Sequence, residues 1–213
     1  MKDIFLAVIL FSAVPCMAQV KDQASALAAL DSAASKDRLD AIRFLGGHNS
    51  PEAYKAMAEH FNSEKDAYLR VKTVEAMDVS VSTWAYVCVS SAAGDTNKFV
   101  RAAAASALAQ IAGNTAADKD MQALAKDQAE SVRLTLVNAL SLVPSTSSVS
   151  IIGTTLADKN GPLRARRAAA AALNKMNTRA ASEELLKHLS DQDPEIKAAA
   201  RQGKAALSQK TVK

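Results

Sequence analysis

Aromatic residues make up only 4% of this 213-residue chain, which also holds just seven glycines, five prolines and two cysteines. So little glycine and proline, beside so few aromatics, argues against an all-β sandwich with its frequent tight turns and favours helices. Cys16 lies in the leader described next, which leaves Cys88 alone in the remainder and excludes an intramolecular disulfide there. Cys88 sits in the apolar stretch WAYVCV and reads as a small buried hydrophobe rather than a reactive thiol. His48, His60 and His188 are far apart and share no metal-ligand spacing, and no Gly-rich phosphate loop, Gly-x-Ser-x-Gly turn or Cys-x-x-Cys pair occurs. Neither catalysis nor a cofactor nor a metal is expected.

The opening residues, MKDIFLAVILFSAVPCMAQ, place Lys2 ahead of an apolar run over 4–14 and a small residue at Ala18. This pattern predicts a secretory signal peptide over 1–18, cleaved after Ala18. The run is shorter than the roughly 20 apolar residues of a membrane span, and no later stretch resembles one. Lipidation at Cys16 is disfavoured, because Pro15 stands where that signal has Gly, Ala or Ser. The expected location is secreted or periplasmic.

Charge is unevenly spread. Residues 160–213 carry eleven Lys or Arg against five Asp or Glu, whereas the rest carries fifteen against seventeen. A cluster at Arg164, Arg166 and Arg167, with Lys175 and Arg179 beyond it, marks the C-terminal end as the basic one. In an exported protein such a surface suits an acidic protein, an anionic envelope polymer or a lipid head group rather than nucleic acid.

What is plentiful is alanine, and it recurs in a plan. The stretch VRAAAASAL sets an apolar residue, a basic one, and a second apolar residue eight positions after the first. The same plan runs from Leu69-Arg70 to Met77, Val100-Arg101 to Leu108, Val132-Arg133 to Leu140 and Ala165-Arg166 to Leu173. Weaker copies flank these at Asp37-Arg38 to Leu45 and at Ile196-Lys197, where the closing position is Lys204. The basic residues Arg38, Arg70, Arg101, Arg133, Arg166 and Lys197 are 32, 31, 32, 33 and 31 positions apart, a steady period that indicates stacked units.

Helix-start signals precede each pair: Asp191-x-Asp193 followed by Pro194, Asp95-x-Asn97 and Glu64-x-Asp66. An earlier helix is expected in each unit, near 23–34, from Ser50-Pro51-Glu52 onward, and near 81–92, 115–126, 146–157 and 178–189. On a wheel at about 100° per residue, Val100, Ala103, Ala104, Ala107, Leu108 and Ile111 share the face toward that earlier helix. Small residues there allow close helix approach. Gly46-Gly47 reads as a helix C-terminal cap, and Glu183-Glu184 as a solvated face.

The motif D-x-[DN]-x-x-[VIL]-[RK] followed by alanine-rich periodicity resembles HEAT repeats, specifically the short HEAT-like repeats of phycobilin lyase subunits, over residues 20 to 208. The resemblance implies an all-α, right-handed α-solenoid of about six helical hairpins, covering 19–208 between the signal peptide and a flexible basic tail over 209–213. It also implies that the basic residue of each motif bonds acidic groups at neighbouring helix starts, with Asp66, Asn97 and Asp193 as the candidates. Second helices would line the concave surface. The deoxyhypusine hydroxylases are HEAT-like enzymes with His-Glu iron ligands, but here Glu59-His60 is reversed and alone.

Residues two and five positions after each motif's start turn away from the first helix. They are Leu39 and Ile42, Val71 and Val74, Ala102 and Ala105, Leu134 and Val137, Arg167 and Ala170, and Ala198 and Arg201. The row is either a groove, with Leu39, Val71, Leu134, Arg167 and Arg201 as partner contacts, or packing between units. Trp84 is expected as a core or inter-repeat anchor, an exposed partner contact being the alternative. The expected function is an exported scaffold for protein–protein interaction, without catalysis of its own. The alternatives are an accessory or chaperone-like subunit of an enzyme, or a binder of an anionic envelope polymer.

Overall fold

The computed structural model describes residues 20–210; the signal peptide, Cys16 and the last three residues of the expected tail lie outside them. Twelve α-helices and no strand occur among the described residues, in alternation. The first layer holds α1 (Gln23–Ala29), α3 (Pro51–Ser63), α5 (Thr83–Ala93), α7 (Thr115–Leu124), α9 (Thr146–Ala157) and α11 (Arg179–Leu186). The second holds α2 (Ser35–His48), α4 (Ala67–Glu75), α6 (Lys98–Leu108), α8 (Glu130–Ser141), α10 (Leu163–Met176) and α12 (Pro194–Lys210). Each helix packs on its hairpin partner and on the same-layer helix of the next pair, which makes the fold an α-solenoid. Helix α12 runs through Lys210, two residues into the segment expected as tail.

Local chemistry sets these boundaries. Side chains of Asp22, Ser50, Asp66, Ser82, Asn97, Asn114, Ser145 and Thr178 each accept a first-turn backbone N–H, which the helix itself leaves unpaired. Pro51 and Pro194 open α3 and α12, where a missing N–H costs nothing. Helix α2 does not stop at Gly46-Gly47 as expected. It continues to His48 and is terminated by Asn49 in the left-handed region, φ 49°. Gly46 is needed for another reason: a Cβ there would lie 2.7 Å from Ala76 Cβ, where α2 and α4 cross. In α6 the regular helix ends at Leu108, and Ala109–Ile111 form a 3₁₀ turn.

The core lies between the layers. Residues four after each motif start, Ala41, Thr73, Ala104, Leu136, Ala169 and Ala200, are fully buried. Thr73 satisfies its hydroxyl by donating to the Leu69 carbonyl. Seven after the start come Ala76, Ala107, Ala139, Ala172 and Gly203, small side chains at each later second helix. The first motif has Phe44 there, where no earlier second helix among the described residues needs the space. Cys88 is buried in this core, and burial pushes its thiol up to about 12, as suits an inert hydrophobe.

Candidate functional site: the arginine ladder and the inner face

Each motif arginine reaches into the following helix-start loop. Arg38 donates from Nε to Glu64 at 2.7 Å and from Nη2 at 3.2 Å. Arg70 holds Asp95 at 2.8 and 3.0 Å, and Arg101 holds Asp127 at 2.6 and 2.9 Å, the same two-pronged geometry. Arg133 bonds Asp158 at 2.7 Å, and Arg166 bonds Asp191. The partners expected for these arginines, Asp66, Asn97 and Asp193, are not the ones used. They stand two positions later and accept from backbone N–H groups of their own helices, at Tyr68, Phe99, and Glu195 with Ile196.

The carboxylates are pre-positioned. Glu64, Asp95, Asp127 and Asp191 each accept the backbone N–H two residues on. The same loops offer main-chain carbonyls to the next arginine: Arg70 donates to Glu64 and Lys65, Arg101 to Asp95 and Thr96, Arg133 to Asp127 and Lys126. Side chain and main chain thus join successive loops from Arg38 to Asp158. Burial pushes Glu64 up, but the Arg38 guanidinium, the Asp66 N–H and His60 outweigh it and hold the carboxyl at about 2. Asp95 and Asp127 are also lowered, since bonds from Arg70 and Arg101 outweigh burial.

The row of second-helix residues divides by position. Five after the start, Ile42, Val74, Ala105, Val137 and Ala170 are buried, which makes them packing between units. Two after the start, Leu39, Val71, Leu134 and Arg167 are half-buried. Arg167 is not free, since it bonds Asp193 and Glu195, each at 2.7 Å. Arg201 is exposed but belongs with the buried five-position set, not with Leu39, Val71, Leu134 and Arg167.

Two exposed aromatic residues stand near this row on the second helices. Tyr68 and Phe99, each one residue before a motif start, are 53% and 61% exposed on consecutive second helices. Lys72 lies 5.4 Å from the Tyr68 ring centroid and Lys98 5.2 Å from that of Phe99. The wheel carries the signal that would have found them, because the position before the start points away from the core. Trp84 departs from the expected anchor: it is 41% exposed on α5, with Lys55 5.8 Å from its ring.

No group of three or more His, Cys, Asp or Glu able to hold a metal occurs among the described residues, and no described helix is long and apolar enough to cross a membrane.

A family model described as HEAT repeats matches residues 119–203, from α7 into α12. With the alternating helix pairs, this supports HEAT repeats over that stretch and fits an α-solenoid. An engineered protein of known crystal structure is similar at a TM-score of 0.53 and 16% identity, with 89% of this chain and 97% of that one covered. That likeness concerns the fold alone. Human deoxyhypusine hydroxylase in complex with glycerol gives a TM-score of 0.38 at 12% identity, over 88% of this chain and 96% of that one, too loose to bear on chemistry. No curated protein matches the chain.

Proposed function

We propose that this protein is an exported scaffold of short HEAT-like repeats, of the kind found in phycobilin lyase subunits, that holds a protein partner on its inner face and performs no catalysis itself. HEAT repeats generally serve as protein-interaction scaffolds, and the proposal extends that role to a particular surface. The carrying observation is the pair Tyr68 and Phe99, exposed in register on adjacent helices beside half-buried Val71 and Ala102. Large rigid rings that bury little in the free protein supply contact area in a complex. Leu39 and Leu134 extend the contact along the stack, whereas Arg167 is held by Asp193 and Glu195 and Arg201 takes the five-position side of its helix.

The test is crosslinking and pull-down from envelope extracts with wild type, Tyr68→Ser, Phe99→Ser and Leu134→Asp. The two serine variants should lose the captured protein while melting within about 0.5 kcal/mol of wild type, as surface changes do. Undiminished capture by both serine variants would sink the inner-face assignment. Leu134→Asp is expected to weaken capture as well, at the cost of some stability because its side chain is half-buried.

A further inference from the structure

The outer side of α12 repeats the pattern of every earlier second helix with charge in place of apolar residues. Positions one, five and eight of the motif lie within about 60° on the helical wheel, on the side toward the following unit. Position five is Ile42, Val74, Ala105, Val137 or Ala170 in the earlier motifs, and position eight is Leu45, Met77, Leu108, Leu140 or Leu173, all buried. In α12 these positions are Arg201 and Lys204, both exposed. Position one, an arginine paired to the next loop in all five earlier motifs, is Lys197. A further stacked helix pair would bury two cations in an apolar seam, so this side is not built for another repeat of the same kind.

The three cations are also unmatched. Every acid from α11 onward is paired: Glu183 with Arg179, Glu184 with Lys187, Asp191 with Arg166, and Asp193 and Glu195 with Arg167. Lys197, Arg201 and Lys204 have no hydrogen-bond or ion-pair partner for their side chains among the described residues. We propose that this outer face of α12 docks an acidic surface of a partner protein, with Lys197, Arg201 and Lys204 each taking a carboxylate. A protein fits because Lys197 occupies the ladder position, which in every earlier motif receives a carboxylate presented by a helix-start loop. This side of α12 therefore has the form of a receptor for one more acidic helix start.

The experiment uses a fluorescein-labelled oligoglutamate peptide at low salt, read by anisotropy, against the full mature chain. Replacing Lys197, Arg201 and Lys204 together by Gln should weaken binding about tenfold, three exposed ion pairs' worth, and flatten its salt dependence. Replacing Lys65, Lys119 and Lys126 by Gln removes equal charge elsewhere and should change binding by less than about twofold. Single Arg201→Gln and Lys204→Gln variants, each about twofold weaker, carry the same test should the triple variant lose helix content by circular dichroism. Tyr68→Ser and Phe99→Ser should leave oligoglutamate binding intact, which separates this face from the inner one. Equal loss in both triple variants, or no binding of oligoglutamate by wild type, overturns the proposal. So does retention of heparin or phosphatidylglycerol vesicles through these three residues when oligoglutamate is not bound.

Discussion

Arg101→Ala tests whether the ladder stabilises the stack. Arg101 and Asp127 keep only 11% and 8% of their side-chain surface in water, and the guanidinium makes two bonds to the carboxylate and two to the Asp95 and Thr96 carbonyls. Truncation leaves Asp127 with the Ala129 N–H as its remaining hydrogen-bond donor and deprives both carbonyls of the guanidinium. Breaking a buried pair from one side costs about 3–5 kcal/mol, and a pair at the margin of the layers falls at the lower end, about 3 kcal/mol. For a domain of this size that lowers the melting midpoint by about 6–12 °C, with helix content at low temperature unchanged. The assay is thermal and urea unfolding of Arg101→Ala, Asp127→Ala and the double variant. Removing both charges spares the cost of leaving one unpaired, so the double variant should be about 1–2 kcal/mol more stable than the sum of the singles implies. Arg101→Ala combined with Asn97→Ala should be additive, because Asn97 caps the Phe99 N–H instead. Additivity within about 0.3 kcal/mol for Arg101 with Asp127 would refute the ladder as a source of stability.

Acid should dissolve the ladder before it touches the core. Glu64 falls from 4.5 to about 2 on folding, so its contribution is complete above pH 4.5 and is lost as pH falls toward 2; lowered Asp95, Asp127, Asp158 and Asp191 act in the same direction. A melting temperature that holds steady from pH 5 down to pH 2 would contradict this. Adjacent glycines in α2 should respond with opposite signs. Gly46→Ala drives a Cβ against Ala76 backbone as well as side chain and should cost about 1–3 kcal/mol, whereas Gly47→Ala meets nothing within 4 Å and should gain up to about 1 kcal/mol of helix propensity. Urea midpoints of the two variants decide it.

Most of the architecture was legible because the period, the helix-start signals and the alanine face all point to one arrangement. The ladder was legible by half. Its arginines stand out because they recur in a fixed frame, but the partner was misplaced by two residues, since both acidic positions of each D-x-[DN] motif look equally suitable. The distinction was available: Glu64, Asp95, Asp127, Asp158 and Asp191 keep an acid in every copy, whereas the later position becomes Ala129 in one unit, and alanine accepts nothing. A residue that pairs at every joint must be acidic at every joint. Trp84 was misread for a different reason. Its size favours burial on average, but α5 already fills its buried face with Ala85, Cys88, Val89 and Ala92, and the ring is left at the edge of that face.

Charge in a solenoid has to be read by position within the repeat rather than by density along the chain. The Arg164, Arg166 and Arg167 cluster is the densest basic stretch, yet Arg166 is buried against Asp191, Arg167 is shared between Asp193 and Glu195, and Arg164 faces Glu130 at 3.5 Å. Arg166 and Arg167 join the structure to itself and are little available to a partner, and of the three only Arg164 is well exposed. Lys197, Arg201 and Lys204 are spread over α12 and look unremarkable in the sequence, but they occupy the positions that every earlier unit turns toward its neighbour. A repeat joint supplies apolar side chains and a carboxylate to that side, whereas in α12 the same positions carry three cations whose side chains have no counter-charge among the described residues. The proposed docking face therefore lies where the repeat pattern changes, and the pattern changes in α12.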